Sequence, residues 1–289
     1  MKKILLLMIV LFSVQAVKAQ NQENPAPLKQ KKFHIGAFYS YYNTWYELKS
    51  LSMSSVWEGV DLGTLTLDDK ELDTLNDLRT DKNDLHMVAI EPGMVFLNNS
   101  RWYFDGGVFF GISRIKYETN IDLPGENHKE VSSEFNNLVG GLSVNLRFNI
   151  SKRWGITMMP HFIYSWGNAY HVVDSIRPNV SFFINDLEEE YSMGYVRSNL
   201  MASYSVAGFT ISLGPGFYYS FMNRTYFIDR TNPENMDKYH DQIESSFHSV
   251  AFIDACLRAD WTLIDPITLS FEAAAGKDLF IKTGIRFNF

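Results

Sequence analysis

Three groups of residues in this 289-residue chain have types and spacings that could do chemistry. His171 precedes Asp174 and Ser175 by three and four positions, and His240 sits directly before Asp241. A histidine base with an orienting carboxylate and a nearby hydroxyl is the material of acid–base or nucleophilic catalysis. Such residues are common, however, and no recognisable catalytic motif surrounds them, so the expectation is a protein that is not an enzyme. The second group is acidic. Residues 47–84 carry ten carboxylates against four bases, and Glu188–Glu190 adds three more. Carboxylate clusters are oxygen ligands for a divalent cation such as Ca²⁺, although charge runs are more often simply solvated. The third group comprises Glu91, Asp105, Asp254, Asp260 and Glu272 with Arg147, Arg197, Arg258, Lys282 and Arg286, joined by His34, His161 and His248. Five acids matched by five bases suggest a paired interior, provided that these side chains all face inward.

Whether they do depends on the elements that carry them. Phe209, Ile211, Leu213, Pro215, Phe217, Tyr219 and Phe221 alternate with Thr210, Ser212, Gly214, Gly216, Tyr218, Ser220 and Met222. The same period of two runs through 154–166 and 138–150. It predicts strands with one apolar and one polar face. About ten such segments are predicted, at 33–46, 85–97, 101–117, 134–150, 154–166, 191–206, 209–223, 245–263, 267–275 and 279–289. Strands of 13 or more residues exceed the usual ~5–6 of soluble sheets. The connections alternate between long (47–84, 118–133, 167–190, 224–244) and short (98–100, 151–153, 207–208, 264–266). Trp102, Trp154, Phe209 and Trp261 lie beside the short ones and predict an aromatic girdle at one membrane interface; Tyr41, Trp45, Tyr117, Trp166, Tyr191 and Phe221 are candidates for the opposite one. Asp68 with Glu71 reads as a helix-start box, predicting a short helix over 69–79 across the barrel mouth.

Composition excludes several classes. Without the three lysines of residues 1–19, 23 bases face 33 acids, a charge of about −10 that argues against a nucleic-acid partner. The single Cys256 provides neither a disulfide framework nor zinc spacing, and no cofactor is expected. Lys2 and Lys3, the apolar run Ile4–Val14 and Val17-Lys18-Ala19 before Gln20 have the layout of a cleaved signal peptide, expected at 1–19. A short periplasmic segment at 20–32 and a barrel at 33–289 would follow.

The last strand, LFIKTGIRFNF, alternates perfectly and ends on Phe287 and Phe289. It resembles the closing strand of bacterial outer-membrane β-barrels, in which the terminal Phe belongs to the signal read by the barrel-assembly machinery. With the leader, the strand pattern and the parity of the connections, the whole chain resembles the small, porin-like outer-membrane barrels of the Bacteroidota type. The resemblance implies an all-β, transmembrane, antiparallel up-and-down barrel of about ten strands, within a range of eight to twelve, with long extracellular loops and short periplasmic turns. Its partners would be outer-membrane lipid and lipopolysaccharide, the latter sharing any divalent cation at the acidic loops, and the assembly machinery during biogenesis. No active-site motif comes with it. Ten strands enclose little more than a side-chain-filled core, so a structural or surface-interaction barrel with a charge-paired plug is expected ahead of a narrow porin or transporter for small solutes. An enzyme acting on lipid or peptide at the outer rim is the remote alternative.

Overall fold

Period-two alternation runs through most of the strands in the computed structural model, which describes residues 32–121, 129–171, 183–231 and 236–289. The expected signal peptide and almost all of segment 20–32 lie outside the described residues. The elements are β1 (Phe33–Trp57), β2 (Val60–Thr66), α1 (Asp69–Leu78), β3 (Arg79–Asn98), β4 (Trp102–Ile121), β5 (Lys129–Asn149), β6 (Trp154–His171), β7 (Phe183–Val206), β8 (Phe209–Thr231), β9 (Lys238–Ser249), β10 (Ile253–Ile264), β11 (Ile267–Ala275) and β12 (Leu279–Asn288). Much of each long connection is therefore strand: β7 and β8 alone run 24 and 23 residues.

All neighbours are antiparallel, and the ring closes where β1 meets β12 (His34↔Asn288 to Asn43↔Leu279). In its lower half, nearest the short turns, ten strands form the wall: β1, β3 to β8, β10, β11 and β12. The segment expected as one strand over 245–263 is broken at Val250–Phe252, and the break changes the barrel. Below it, β10 pairs β8 and β11. Above it, β9 pairs β8 on one edge and β1 on the other, from Tyr46↔Ser249 upward. The hairpin of β11 and β12 thus ends partway up, and the upper ring closes with eight strands. Local hydrogen bonds cover the junction: Val250 N–H donates to Trp45 O at 3.0 Å, Ser220 N–H to Ser249 Oγ at 3.1 Å, and Trp45 N–H to the hairpin-tip carboxylate Asp278 at 3.2 Å.

The exterior divides at the same height. Below it, Ile90, Val108, Ile112, Leu142, Leu200, Leu213, Phe217 and Ile253 are exposed, a continuous apolar belt of the kind a bilayer solvates. Above Ile112 and Leu138 the outward positions turn polar: His86, Asp84 and Lys82 on β3, Arg114, Lys116 and Glu118 on β4. Trp102 and Trp154 project outward beside the short turns, 4.7 Å from Phe148 and 4.9 Å from Tyr204. Phe209 and Trp261 are paired neighbours at that rim. Tyr117 and Tyr191 do not join the opposite girdle. Both are buried, since their odd numbers share the inward parity of Asp105 and Arg197.

α1 begins with the reciprocal box: Glu71 N–H donates to Asp68 Oδ1 and Asp68 N–H to Glu71 Oε2, both at 2.9 Å. It packs on β1 and β3 where these part company, with Leu72 buried in the core. Asn76 donates to Leu48 O at 3.0 Å and accepts Leu48 N–H at 2.9 Å, so one amide substitutes for the strand partner that β1 loses there.

Candidate functional site: the barrel lumen

Inward positions of the ten-stranded half form a polar chamber with about 60 Å³ of free space. Arg197 grips Asp254 with two hydrogen bonds of 2.6 and 2.9 Å, and both side chains are almost wholly buried. Its Nη2 also lies 2.7 Å from Cys256 Sγ. Arg258 holds Asp260 at 2.7 and 2.8 Å and reaches Glu272 at 3.3 Å. Glu272 accepts from Asn199 across the lumen at 2.5 Å. Arg286 donates to Asp105 at 2.7 Å, which also accepts Tyr103 O–H at 2.6 Å. Glu91 accepts Ser143 O–H at 2.7 Å and gathers looser charges: Arg286 at 3.7 Å, with Lys282 and His34 at 3.9 Å. Lys282 also lies over the Phe38 ring at 3.9 Å. His161 packs edge-on to Phe109 with centroids 5.1 Å apart.

The chamber therefore brings together Glu91, Asp105, Asp254, Asp260 and Glu272 with Arg197, Arg258, Lys282 and Arg286. Arg147 is inward but stands apart. It donates to Ser205 at 2.8 Å and, among the described residues, makes no ion pair. His248 is on the opposite face, 3.7 Å from Glu47 on the exterior. The break at Val250–Phe252 resets parity: Asp241, Ser245 and Phe247 are buried on β9, whereas Asp254, Cys256 and Arg258 face in on β10. A one-residue offset moves every side chain to the other face.

Above the chamber the lumen is filled. Tyr42 on β1 touches Tyr195 on the opposite wall, centroids 4.7 Å apart, and Phe280 at 4.8 Å. Tyr46 O–H lies 2.5 Å from Ser220 and 3.5 Å from Met193. Leu85, Met87, Ile163 and Met222, each at most 1% exposed, complete the layer. Higher still is a charged core that sequence reasoning placed in loops. Arg224 donates to Glu189 at 2.6 Å and stacks 3.8 Å above Tyr117, while Thr119 and Tyr117 both donate to Asp81. The available signal was parity: Arg224 continues the inward series of Tyr218, Ser220 and Met222, and Glu189 that of Tyr191.

The catalytic candidates His240 and Asp241 separate in space. His240 Nδ1 lies 2.6 Å from Asp229 on the outer face, whereas its chain neighbour Asp241 points inward to Arg230 and Ser55. Consecutive strand residues cannot share a face. Asp174 and Ser175 lie outside the described residues. Among the described residues, no three His, Cys, Asp or Glu side chains gather as a metal site.

No protein-family model matches the chain, and no curated protein matches it. Among solved structures it is similar to the transport unit of the autotransporter AIDA-I from Escherichia coli, at 10% identity over 96% of this chain and 97% of that one, TM-score 0.36. It is also similar to the translocator domain of autotransporter NalP from Neisseria meningitidis (7% identity, 98% and 96% covered, TM-score 0.38) and to the outer membrane protein OprG from Pseudomonas aeruginosa (8%, 90% and 96%, TM-score 0.31). Likeness at this level carries no functional argument. The closed barrel stands on its own strand ladders.

Proposed function

We propose that the protein is an integral outer-membrane β-barrel, exported by a cleaved leader, whose lumen is closed and whose strands extend beyond the outer leaflet as a rigid surface-exposed platform. The observation that carries this reading is the contact of Tyr42 with Tyr195 across the lumen, inside a layer of buried aromatic and methionine side chains. An aqueous path would have to displace that layer, and wide channels belong to barrels of 16–18 strands. The ion pairs below it satisfy charges that would each cost several kcal/mol if left alone. Outer-membrane lipid and lipopolysaccharide surround the belt, the assembly machinery reads the last strand, and no catalysis is assigned. A narrow solute channel is the competing reading, and the polar chamber is the observation in its favour.

Planar-bilayer recording of refolded protein tests this directly. Stable insertion without stepwise conductance is expected, and discrete openings would overturn the closed lumen. Orientation is tested separately by epitope tags on intact cells: a tag at Asn76 should be accessible and one between Ala207 and Gly208 should not.

A further inference from the structure

Among the described residues, Arg147 is the inward-facing base that the ion pairs leave aside. Arg197, Arg258 and Arg286 each hold a carboxylate within 2.9 Å. Arg147 donates only to the Ser205 hydroxyl, and its Nε is buried without a partner. It lies in the wall of an open cavity of about 860 Å³ at the short-turn rim, between the turn joining β3 to β4 and the turn joining β5 to β6. Arg101 and Lys152 flank it from those turns, asparagine amides fill much of the rest, and no carboxylate lines it. Asp260, whose charge acts on Arg147 from a distance, is held by Arg258, and Asp105 is held by Arg286 and Tyr103. Asn145 lines both this cavity and the inner chamber.

A concave site lined by charge of one sign focuses its field on a counter-ion. Guanidinium forks match the planar geometry of carboxylates and the oxygens of phosphates. The cavity is far larger than one such group, within the range of sites for small organic ligands. We propose that this rim cavity binds a multiply charged carboxylate compound, with Arg147 as the anchoring guanidinium and Arg101 and Lys152 as its flanks. The placement of the cavity in the periplasm rests on the reading above, whereas the site itself does not. The ligand is then a free polycarboxylate or a carboxylate-bearing fragment of the cell wall.

The test is calorimetric titration of the refolded full chain in detergent micelles, where orientation plays no part, with citrate and separately with soluble peptidoglycan fragments. Saturable binding that weakens with added salt is expected, reduced at least tenfold by Arg147→Gln, a change that keeps a donor for Ser205. The double variant Arg101→Gln/Lys152→Gln alters only exposed turn side chains and should weaken binding at least threefold; heat-modifiable migration checks folding of both. Citrate binding alone assigns the free anion, and tighter binding of the fragments assigns the wall. Absence of saturable binding by either probe, or binding unchanged in the double variant, overturns the proposal.

Discussion

The two halves of this barrel use the same alternation for different ends. In the ten-stranded half the exterior is apolar and the interior carries ion pairs around a small chamber; in the eight-stranded half the outer faces of β3 and β4 are polar and the interior is packed around the Arg224–Glu189 and Arg230–Asp241 pairs. The break at Val250–Phe252 lies at the boundary. Removing two strands narrows the ring, and a narrower ring is filled by the side chains it already has. Closure and change of solvent thus occur at one height.

The largest effect should come from the strand that closes the wide half. Phe289 N–H donates to Phe33 O at 2.8 Å, and its carbonyl accepts Lys32 N–H at 2.9 Å. Deleting Phe289 is expected to remove most folded barrel from the outer-membrane fraction while export continues, read as loss of heat-modifiable migration. Normal folded abundance would reduce the terminal Phe to one more outward side chain.

Breaking the buried pair of the narrow half comes next. Arg224→Met leaves Glu189 buried without its counter-charge, which should cost about 3–5 kcal/mol in a urea titration in liposomes. Adding Glu189→Leu should restore most of it. If the double variant is as weak as the single one, the pair does more than neutralise itself.

Two exterior substitutions separate the halves by their solvent. Leu213, 63% exposed on the belt, should cost about 2–4 kcal/mol when changed to Arg. Gln242→Arg on the outer face of β9 should change stability by less than about 0.5 kcal/mol. Equal effects would mean that no lipid boundary lies between them. Smaller again is Asp68→Ala, expected to cost about 1 kcal/mol through the lost cap of α1, seen as faster proteolysis at the helix with the barrel intact.

The smallest effect concerns charge above the belt. Hydrogen bonding and attraction from Arg114 hold the exposed carboxyl of Glu134 below the usual carboxylate range. A depressed folded-state pKa contributes stability that is present above the unfolded value and lost as pH falls through the folded one. Arg114→Gln should therefore raise the Glu134 titration midpoint by NMR without moving the unfolding midpoint, since exposed pairs contribute little.

What was legible followed from parity within single strands. Arg197, Glu272, Lys282 and Arg286 face inward because each lies in an unbroken alternating run, and Asp254 and Arg258 do so on the side of the break where the alternation resumes. His248 was misplaced because the run from 245 to 263 hides a break, and a break in register leaves no trace in composition. Arg224, Glu189 and Asp81 were hidden because their polar neighbours resemble loop, although a strand above the bilayer needs no apolar outer face. Arg147 shared the pattern of the paired bases, and only the geometry showed it without a carboxylate.

The sequence by itself determined the strand cores, the inward and outward sets within each unbroken run, the short turns and the capping box of α1, since these depend on residues two to four positions apart. Tertiary structure decided the change from ten strands to eight, the contact of Tyr42 with Tyr195, long-range charge pairs such as Arg197–Asp254 and Arg286–Asp105, and the carboxylate-free cavity at Arg147. Each of these depends on residues dozens to hundreds of positions apart, brought together by the register of a closed ring that no local pattern encodes.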